Sequence, residues 1–151
     1  MASVHKSVLV PYSAQQMFAL VERVEDYPAF LPWCAAAREL ERNEDRVLVR
    51  IDINYHGVHA HFTTANHNQA PERIVMELRH GPFRHLDGTW SFRALAETAC
   101  KVELELTYEF TTHVLERLIG PVFGRIAASL VDAFVHRAEQ VHGANAKVPP
   151  P

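Results

Sequence analysis

The chain has 151 residues, of which 48% are hydrophobic and 22% are charged, and its formal net charge at pH 7 is −3. This composition excludes a largely disordered chain, and the length is that of one globular domain. The 15 basic residues are scattered along the sequence, which does not favour a dedicated nucleic-acid binder, although folding could still gather some of them into a patch.

The first two predicted elements are a strand and a short helix. Val4–Val10 is rich in β-branched residues and predicts a strand that ends at Pro11. Ser13 and Gln16 have the spacing of a capping box, which predicts that a helix begins there. The apolar residues of this helix have helical spacing: Met17, Phe18, Leu20, Val21 and Val24.

The next segment, Tyr27–Cys34, carries several aromatic and apolar side chains and is broken by Pro28 and Pro32. Exposing so much apolar surface to water would be costly, so the segment is expected to contact something. Two interpretations stay open. The segment is either a loop tucked into the core or a functional surface, which would be a lid over a cavity mouth or a patch that meets a membrane or a partner.

A series of strands is predicted after this segment. Apolar and polar residues alternate most regularly in Val47–Tyr55 and Lys101–Phe110. Weaker alternation predicts further strands at Ala36–Arg42, Val58–Ala65, Arg73–Arg79 and Leu86–Leu95. Turn-forming residues lie between them at Asn43–Asp45, His56–Gly57, Asn66–Pro71, His80–Pro82 and Ala96–Thr98. Such short connections predict an antiparallel sheet of about seven strands with one apolar face.

The last predicted element is a long helix that runs from Val114 to about His142. Gly120-Pro121 predicts a kink or short break within it. Its apolar stripe consists of Leu115, Leu118, Ile119, Val122, Ile126, Leu130, Phe134, Ala138 and Val141. We expect this stripe to pack on the sheet face that carries Leu104, Leu106 and Tyr108. The domain is therefore expected to span residues 1–142, followed by a Pro-rich, disordered tail at 143–151.

These elements predict an α+β domain in which one long helix covers a curved antiparallel sheet. A helix about 10 Å wide cannot fill the concave face of such a sheet, so an apolar cavity is expected beside it. The predicted ligand-binding residues come from the strands, the long helix and the aromatic segment. They are Val49, Ile51, Phe62, Met76, Phe83, Trp90, Phe92, Leu106, Phe123, Ile126, Ala127, Leu130, Tyr27, Phe30, Leu31 and Trp33.

Motifs for catalysis or metal binding are missing from the sequence. His56, His59 and His61 lack a third ligand at a characteristic spacing, so no metal site is predicted. Cys34 and Cys100 are expected to be small core residues in a reduced protein. No catalytic residue and no cofactor are assigned. The acids nearest to segments expected to be buried are Asp52 and Asp87, and the strand glutamates are expected to be solvated: Glu77, Glu103, Glu105 and Glu109.

Four runs of residues resemble one known family: Val10–Ala14, the YPAFLPWC segment at Tyr27–Cys34, the GPFRHLDGTWSF run at Gly81–Phe92, and Ala133–Ala138. The resemblance is to the RatA-type family of START-like proteins, which is close to the mitochondrial coenzyme Q-binding proteins and is often labelled oligoketide cyclase/lipid transport protein. It covers the chain from about Val4 to His142. It implies a helix-grip fold around a tunnel for an apolar ligand.

The resemblance implies three alternative functions. The main hypothesis is a carrier of ubiquinone, or of another polyprenyl quinone or lipid, that supports respiration, because it needs a cavity and no catalytic set. The first alternative is a ribosome association toxin that binds the large ribosomal subunit and blocks subunit joining, which the net charge supports only weakly. The second is an aromatic polyketide cyclase, by fold analogy. We expect a mostly monomeric cytoplasmic protein that meets the inner membrane transiently.

Overall fold

The computed structural model describes residues 1–143, and the rest of the predicted tail lies outside the described residues. The strands are β1 (Ala2–Val10), β2 (Cys34–Arg42), β3 (Val47–Tyr55), β4 (Val58–Gln69), β5 (Arg73–His80), β6 (Phe83–Ala96) and β7 (Ala99–Phe110). The helices are α1 (Ala14–Glu22), a 3₁₀ helix (Val24–Ala29) and α2 (His113–His142).

The strands form one antiparallel sheet in the order β1-β7-β6-β5-β4-β3-β2, which confirms the predicted α+β architecture. Every strand after β1 pairs with its neighbour in sequence, because the connections are short turns. β1 returns to pair with β7, so β1 and β2 are the two edge strands. The pairing of β2 with β3 is interrupted twice, between Cys34 and Ala36 and between Glu39 and Glu41, where bulges shift the register.

α1 begins at the predicted capping box. The Ser13 hydroxyl accepts a hydrogen bond from the Gln16 amide at 3.1 Å, and the Gln16 side-chain carbonyl accepts one from the Ser13 amide at 2.9 Å. These two bonds satisfy amide groups that have no partner inside the helix. The helix then buries Met17, Phe18 and Val21 against β6, β7 and α2.

α2 packs on the concave face of the sheet, as predicted. Leu104, Leu106 and Tyr108 on β7 are all buried. The Tyr108 ring lies 4.7 Å from the ring of Phe123, and the Trp90 ring lies 5.3 Å from that of Phe134. By length and composition alone α2 could also span a membrane, but in this fold its buried side chains form the core.

Two details predicted for α2 are wrong. Leu118 and Val141 were expected on the buried stripe, but they are 63% and 42% exposed, because Leu118 lies on the helix face opposite the buried residues and Val141 lies beyond the last of them. The helix also continues without a break through Gly120-Pro121. Pro121 lies on the exposed side, where the carbonyl of Arg117 can bond to water in place of the missing amide hydrogen.

The predicted turn at Asn66–Pro71 is also too long. β4 continues to Gln69, and the turn is confined to the residues between Gln69 and Arg73. Asn66 has turn-forming preferences, but its backbone pairs with Val47 on one side and with Met76 on the other. Two neighbouring strands outweigh a local preference.

Candidate ligand cavity

A cavity of about 90 Å³ lies between α2, the concave face of the sheet and the 3₁₀ helix. The expected cavity is therefore present. Its wall is almost entirely apolar and draws on every strand from β3 to β7. The lining residues are Val24, Tyr27, Trp33, Val49, Ile51, Ile53, Phe62, Thr64, Asn66, Met76, Leu86, Trp90, Leu106, Phe123, Ile126, Ala127, Leu130 and Phe134.

The structure brings most of the predicted ligand-binding residues together in this wall, and their binding role stays a prediction. Four of the predicted side chains lie elsewhere: Phe30, Leu31, Phe83 and Phe92. Phe83 and Phe92 face inward but pack against other rings: Phe83 lies 4.9 Å from Phe110, and Phe92 lies 5.7 Å from Phe18. Core packing therefore separates these rings from the cavity.

The aromatic segment is part core and part cavity wall. Tyr27 and Trp33 line the cavity, whereas Leu31 is only 1% exposed and belongs to the core. Phe30 is half-buried and covers Phe134 from outside, with 5.4 Å between the ring centres. The two interpretations of the segment thus each describe part of it, and its movement as a lid stays a prediction.

Six lining residues were not predicted: Val24, Ile53, Thr64, Asn66, Leu86 and Phe134. Ile53 and Leu86 follow the same alternation as their predicted neighbours, so the pattern could have found them. Phe134 belongs to the predicted stripe of α2. Thr64 and Asn66 gave no apolar signal, because they are polar residues on the inward face of β4.

Among the lining residues described, Thr64 and Asn66 are the two with polar side chains that are not aromatic. The Thr64 hydroxyl donates a hydrogen bond to Oδ1 of Asn66 at 2.7 Å. The hydroxyl of Tyr27 is held differently, because it donates to the backbone carbonyl of Val21. Burial raises the pKa of Tyr27, so this hydroxyl stays protonated.

The size of the cavity limits what it can hold as it stands. An engineered protein cavity of about 150 Å³ binds benzene, so about 90 Å³ is far too small for a polyprenyl chain, and even one six-membered ring would have to displace some side chains. A larger ligand would have to displace side chains from the wall. Met76 and Leu130 are the half-buried aliphatic side chains of the wall, and the unbranched Met76 is the more flexible of the two.

Groups suited to acid–base catalysis lie outside the cavity. Asp52 pairs with Arg50 at 2.8 Å, and Asp87 accepts a hydrogen bond from Thr107 at 2.6 Å. Within residues 1–143, no carboxylate, histidine or cysteine lines the wall. The four strand glutamates also lie outside the wall: Glu77, Glu103, Glu105 and Glu109.

Potential metal ligands and thiols are likewise separate from the cavity. His56, His59 and His61 are exposed. In the described part of the chain, the one group of three close potential ligands is His5 with Glu103 and Glu105, on strand faces open to solvent. Both cysteines are buried, and burial raises the pKa of the Cys34 thiol to about 11.

The outer surface carries a second notable feature at the start of α2. Val114 and Leu118, one helical turn apart, are 64% and 63% exposed. Arg117 lies between them in sequence and is also exposed. Single exposed apolar residues are ordinary, but two adjacent large ones form a small patch that a partner could cover.

Comparison with known proteins links these features to a family. A profile described as polyketide cyclase/dehydrase and lipid transport matches residues 10–135. The ribosome association toxin RatA of Escherichia coli K12 is 40% identical over 144 residues, covering 95% of this chain and 91% of the relative. The toxin of the same name from Vibrio cholerae is 42% identical over 143 residues, covering 95% of this chain and 99% of the relative.

Other similarities are more distant. A mitochondrial coenzyme Q-binding protein, COQ10 homolog B of Xenopus laevis, is 21% identical and is matched over 58% of its length and 91% of this chain. A START superfamily protein of Mycobacterium smegmatis has a TM-score of 0.77 at 24% identity, covering 92% of this chain and 98% of the other. The Zhui aromatase/cyclase of Streptomyces has a TM-score of 0.81 at 16% identity, covering 97% of this chain and 99% of the other. These structures confirm the START-like fold.

Proposed function

The chain belongs to the polyketide cyclase/dehydrase and lipid transport family, and we propose that its function within that family is association with the ribosome. The observation that carries the proposal is 40–42% identity, over 95% of the chain, to ribosome association toxins. The similarity to the coenzyme Q-binding protein is half as strong, at 21%. Ribosome association, the first alternative drawn from the sequence, is thus better supported than the main hypothesis of a quinone or lipid carrier.

The patch formed by Val114 and Leu118 is our candidate for the surface that contacts the ribosome. Both side chains are mostly exposed, and burying them against a partner would recover their hydrophobic free energy. The exposed guanidinium of Arg117 beside them suits contact with the phosphates of ribosomal RNA. We place the contact on the large subunit, in line with the resemblance noted from the sequence.

Sedimentation tests this proposal directly. The full chain is mixed with separated large and small ribosomal subunits and run through a sucrose gradient. We expect it to travel with the large subunit and to prevent the two subunits from joining. Because phosphate contacts release counterions, we also expect binding to weaken as salt is raised. A chain that stays at the top of the gradient with both subunits would refute ribosome association.

A matched pair of variants tests the surface. Val114→Ser with Leu118→Ser should weaken binding at least about tenfold, because each lost apolar side chain contributes about 1–2 kcal/mol. Leu95→Ser is the control, since Leu95 is 53% exposed near the hairpin between β6 and β7, at the end of β7 opposite the start of α2. Equal binding by the double variant and the wild type would move the contact to another surface.

The cavity supports a second candidate function, the binding of a small apolar ligand. Its almost wholly apolar wall favours uncharged molecules, and the absence of acid–base groups from the described part of that wall does not favour a cyclase. Mass spectrometry of an organic extract of the purified protein should detect a retained ligand. An extract identical to that of a filled-cavity variant, such as Ala127→Leu, would argue against this function.

A further inference from the structure

The hydrogen-bonded pair of Thr64 and Asn66 stands out in the cavity because nearly everything around it is apolar. Thr64 is only 4% exposed and Asn66 only 9%. Placing polar groups at two successive inward positions of β4 is costly unless their hydrogen bonds are satisfied. The bond between them satisfies the Thr64 hydroxyl hydrogen and Oδ1 of Asn66.

That bond leaves the amide NH₂ of Asn66 as a donor at the cavity wall. Within residues 1–143, this nitrogen forms no hydrogen bond. Oδ1 is the acceptor in this bond, so Nδ2 is the amide atom that stays available to donate. A ligand oxygen placed next to this nitrogen would therefore complete the pair without any change in the orientation of the amide.

We propose that Thr64 and Asn66 form a polar subsite that holds the carbonyl oxygen of a small, uncharged, otherwise apolar ligand. The donor requires an acceptor on the ligand, and the apolar wall disfavours a carboxylate or a phosphate, since no positive charge lines it among the residues described. The cavity volume of about 90 Å³ limits the enclosed part to one small ring. This inference rests on the second proposed function, the binding of an apolar ligand.

Two probes of the same size separate the polar contact from the apolar one. Cyclohexanone has a carbonyl oxygen, whereas methylcyclohexane has a methyl group in its place. Both tryptophans of the chain, Trp33 and Trp90, line the cavity, so their indole N–H signals in ¹⁵N NMR spectra report occupancy. We expect both probes to shift the indole signals and cyclohexanone alone to shift the side-chain amide signals of Asn66.

A double variant gives the quantitative test. Thr64→Val with Asn66→Leu removes donor and acceptor together, so neither group is left unpaired, and a thermal melt verifies folding. We expect the affinity for cyclohexanone, relative to methylcyclohexane, to fall about tenfold. Met76→Leu is the control, because it changes the wall without changing its polarity and should leave the ratio unaltered.

The outcomes distinguish the subsite from the function on which it rests. If neither probe shifts the indole signals of the wild type, ligand binding in the cavity is wrong and the subsite falls with it. If both probes bind, but the affinity ratio is the same in the wild type and the double variant, the subsite alone is wrong. A shift of the Asn66 amide signals by methylcyclohexane as large as by cyclohexanone would also overturn it.

Discussion

The guanidinium carbon of Arg137 lies 5.0 Å from the centre of the Phe30 ring. The same ring packs edge-to-face on Phe134 and on Tyr27, so it is held between α2 and the 3₁₀ helix. This contact ties the aromatic segment to the long helix at the outer side of the cavity. It is the contact that would have to break if the segment opens.

Replacing Arg137 should loosen this segment. Arg137→Gln removes the cation–π contact, which is worth about 0.5–1 kcal/mol, and a local opening should become about two- to fivefold more frequent. The amide of Leu31 bonds to the carbonyl of Tyr27 at 2.9 Å, and its hydrogen exchange measures that opening. Arg93→Gln, at an exposed site on β6, should leave this exchange rate unchanged. Unchanged exchange in Arg137→Gln would show that the contact does not restrain the segment.

The two neighbouring α2 positions Leu130 and Phe134 should differ in their contribution to stability. Phe134 is 1% exposed and contacts the Trp90 ring, so Phe134→Ala should lower the free energy of unfolding by about 3–5 kcal/mol. Leu130 is half-buried beside the cavity. Leu130→Ala should therefore lower the free energy of unfolding by less, near the lower end of the range of about 2–5 kcal/mol for such changes. Urea unfolding measures both. A larger loss for Leu130→Ala would contradict the packing described here.

Gly88 supports the cavity wall from the middle of β6. A Cβ atom there would lie 2.9 Å from Cδ1 of Leu106 and 3.0 Å from Cε of Met76. Gly88→Ala should push both lining side chains toward the cavity, lower stability by about 1–3 kcal/mol and reduce the affinity for methylcyclohexane.

Gly124→Ala is the matched control for this prediction. A Cβ atom at position 124 would meet only the Tyr108 hydroxyl, at 3.7 Å, which is an ordinary contact. The change should stabilise α2 by about 1 kcal/mol, since glycine is a poor helix former. Probe affinity in Gly88→Ala equal to that of the wild type would contradict the predicted displacement.

Burial should make Cys34 unreactive in the folded protein. Its pKa is raised to about 11, so at pH 9 the thiolate that reacts with iodoacetamide is scarce in the folded state and abundant in the unfolded state. The folded state holds the thiol proton of Cys34 more tightly than the unfolded state does, and this difference favours folding at low pH. The favourable contribution is lost as the pH rises from about 9 to 11. Alkylation followed by peptide mass spectrometry measures the difference. Equal rates for native and urea-unfolded protein would contradict it.

The sequence predicts the sheet well where one face of a strand is apolar. The predicted bounds of Val47–Tyr55 are those of β3, because that strand lies between two partners and alternates without interruption. Prediction from the sequence fails where polar residues are buried by partners that are distant in sequence. Asn66 has the local preference of a turn residue, and only the pairing of β4 with strands on both sides shows that it faces a cavity.

The helix shows the same limit. Its spacing predicts one apolar stripe, but contact with the sheet decides which face of the helix is covered, and Leu118 lies outside that face. Pro121 predicts a break by local chemistry alone, whereas the burial of Ile119 before it and Phe123 after it holds the helix continuous. Contacts between residues distant in sequence decide both features.

The bulges of β2 have a consequence for the behaviour of the protein at high concentration. β2 is an edge strand, and its unpaired backbone groups could template a strand from another molecule. An incoming strand would need a regular ladder, but β2 changes register twice over its length. It would also have to lie beside a run of exposed or half-exposed charges: Arg38, Glu39, Glu41 and Arg42. The β2 edge of the sheet is thus a poor seed for β-sheet aggregation.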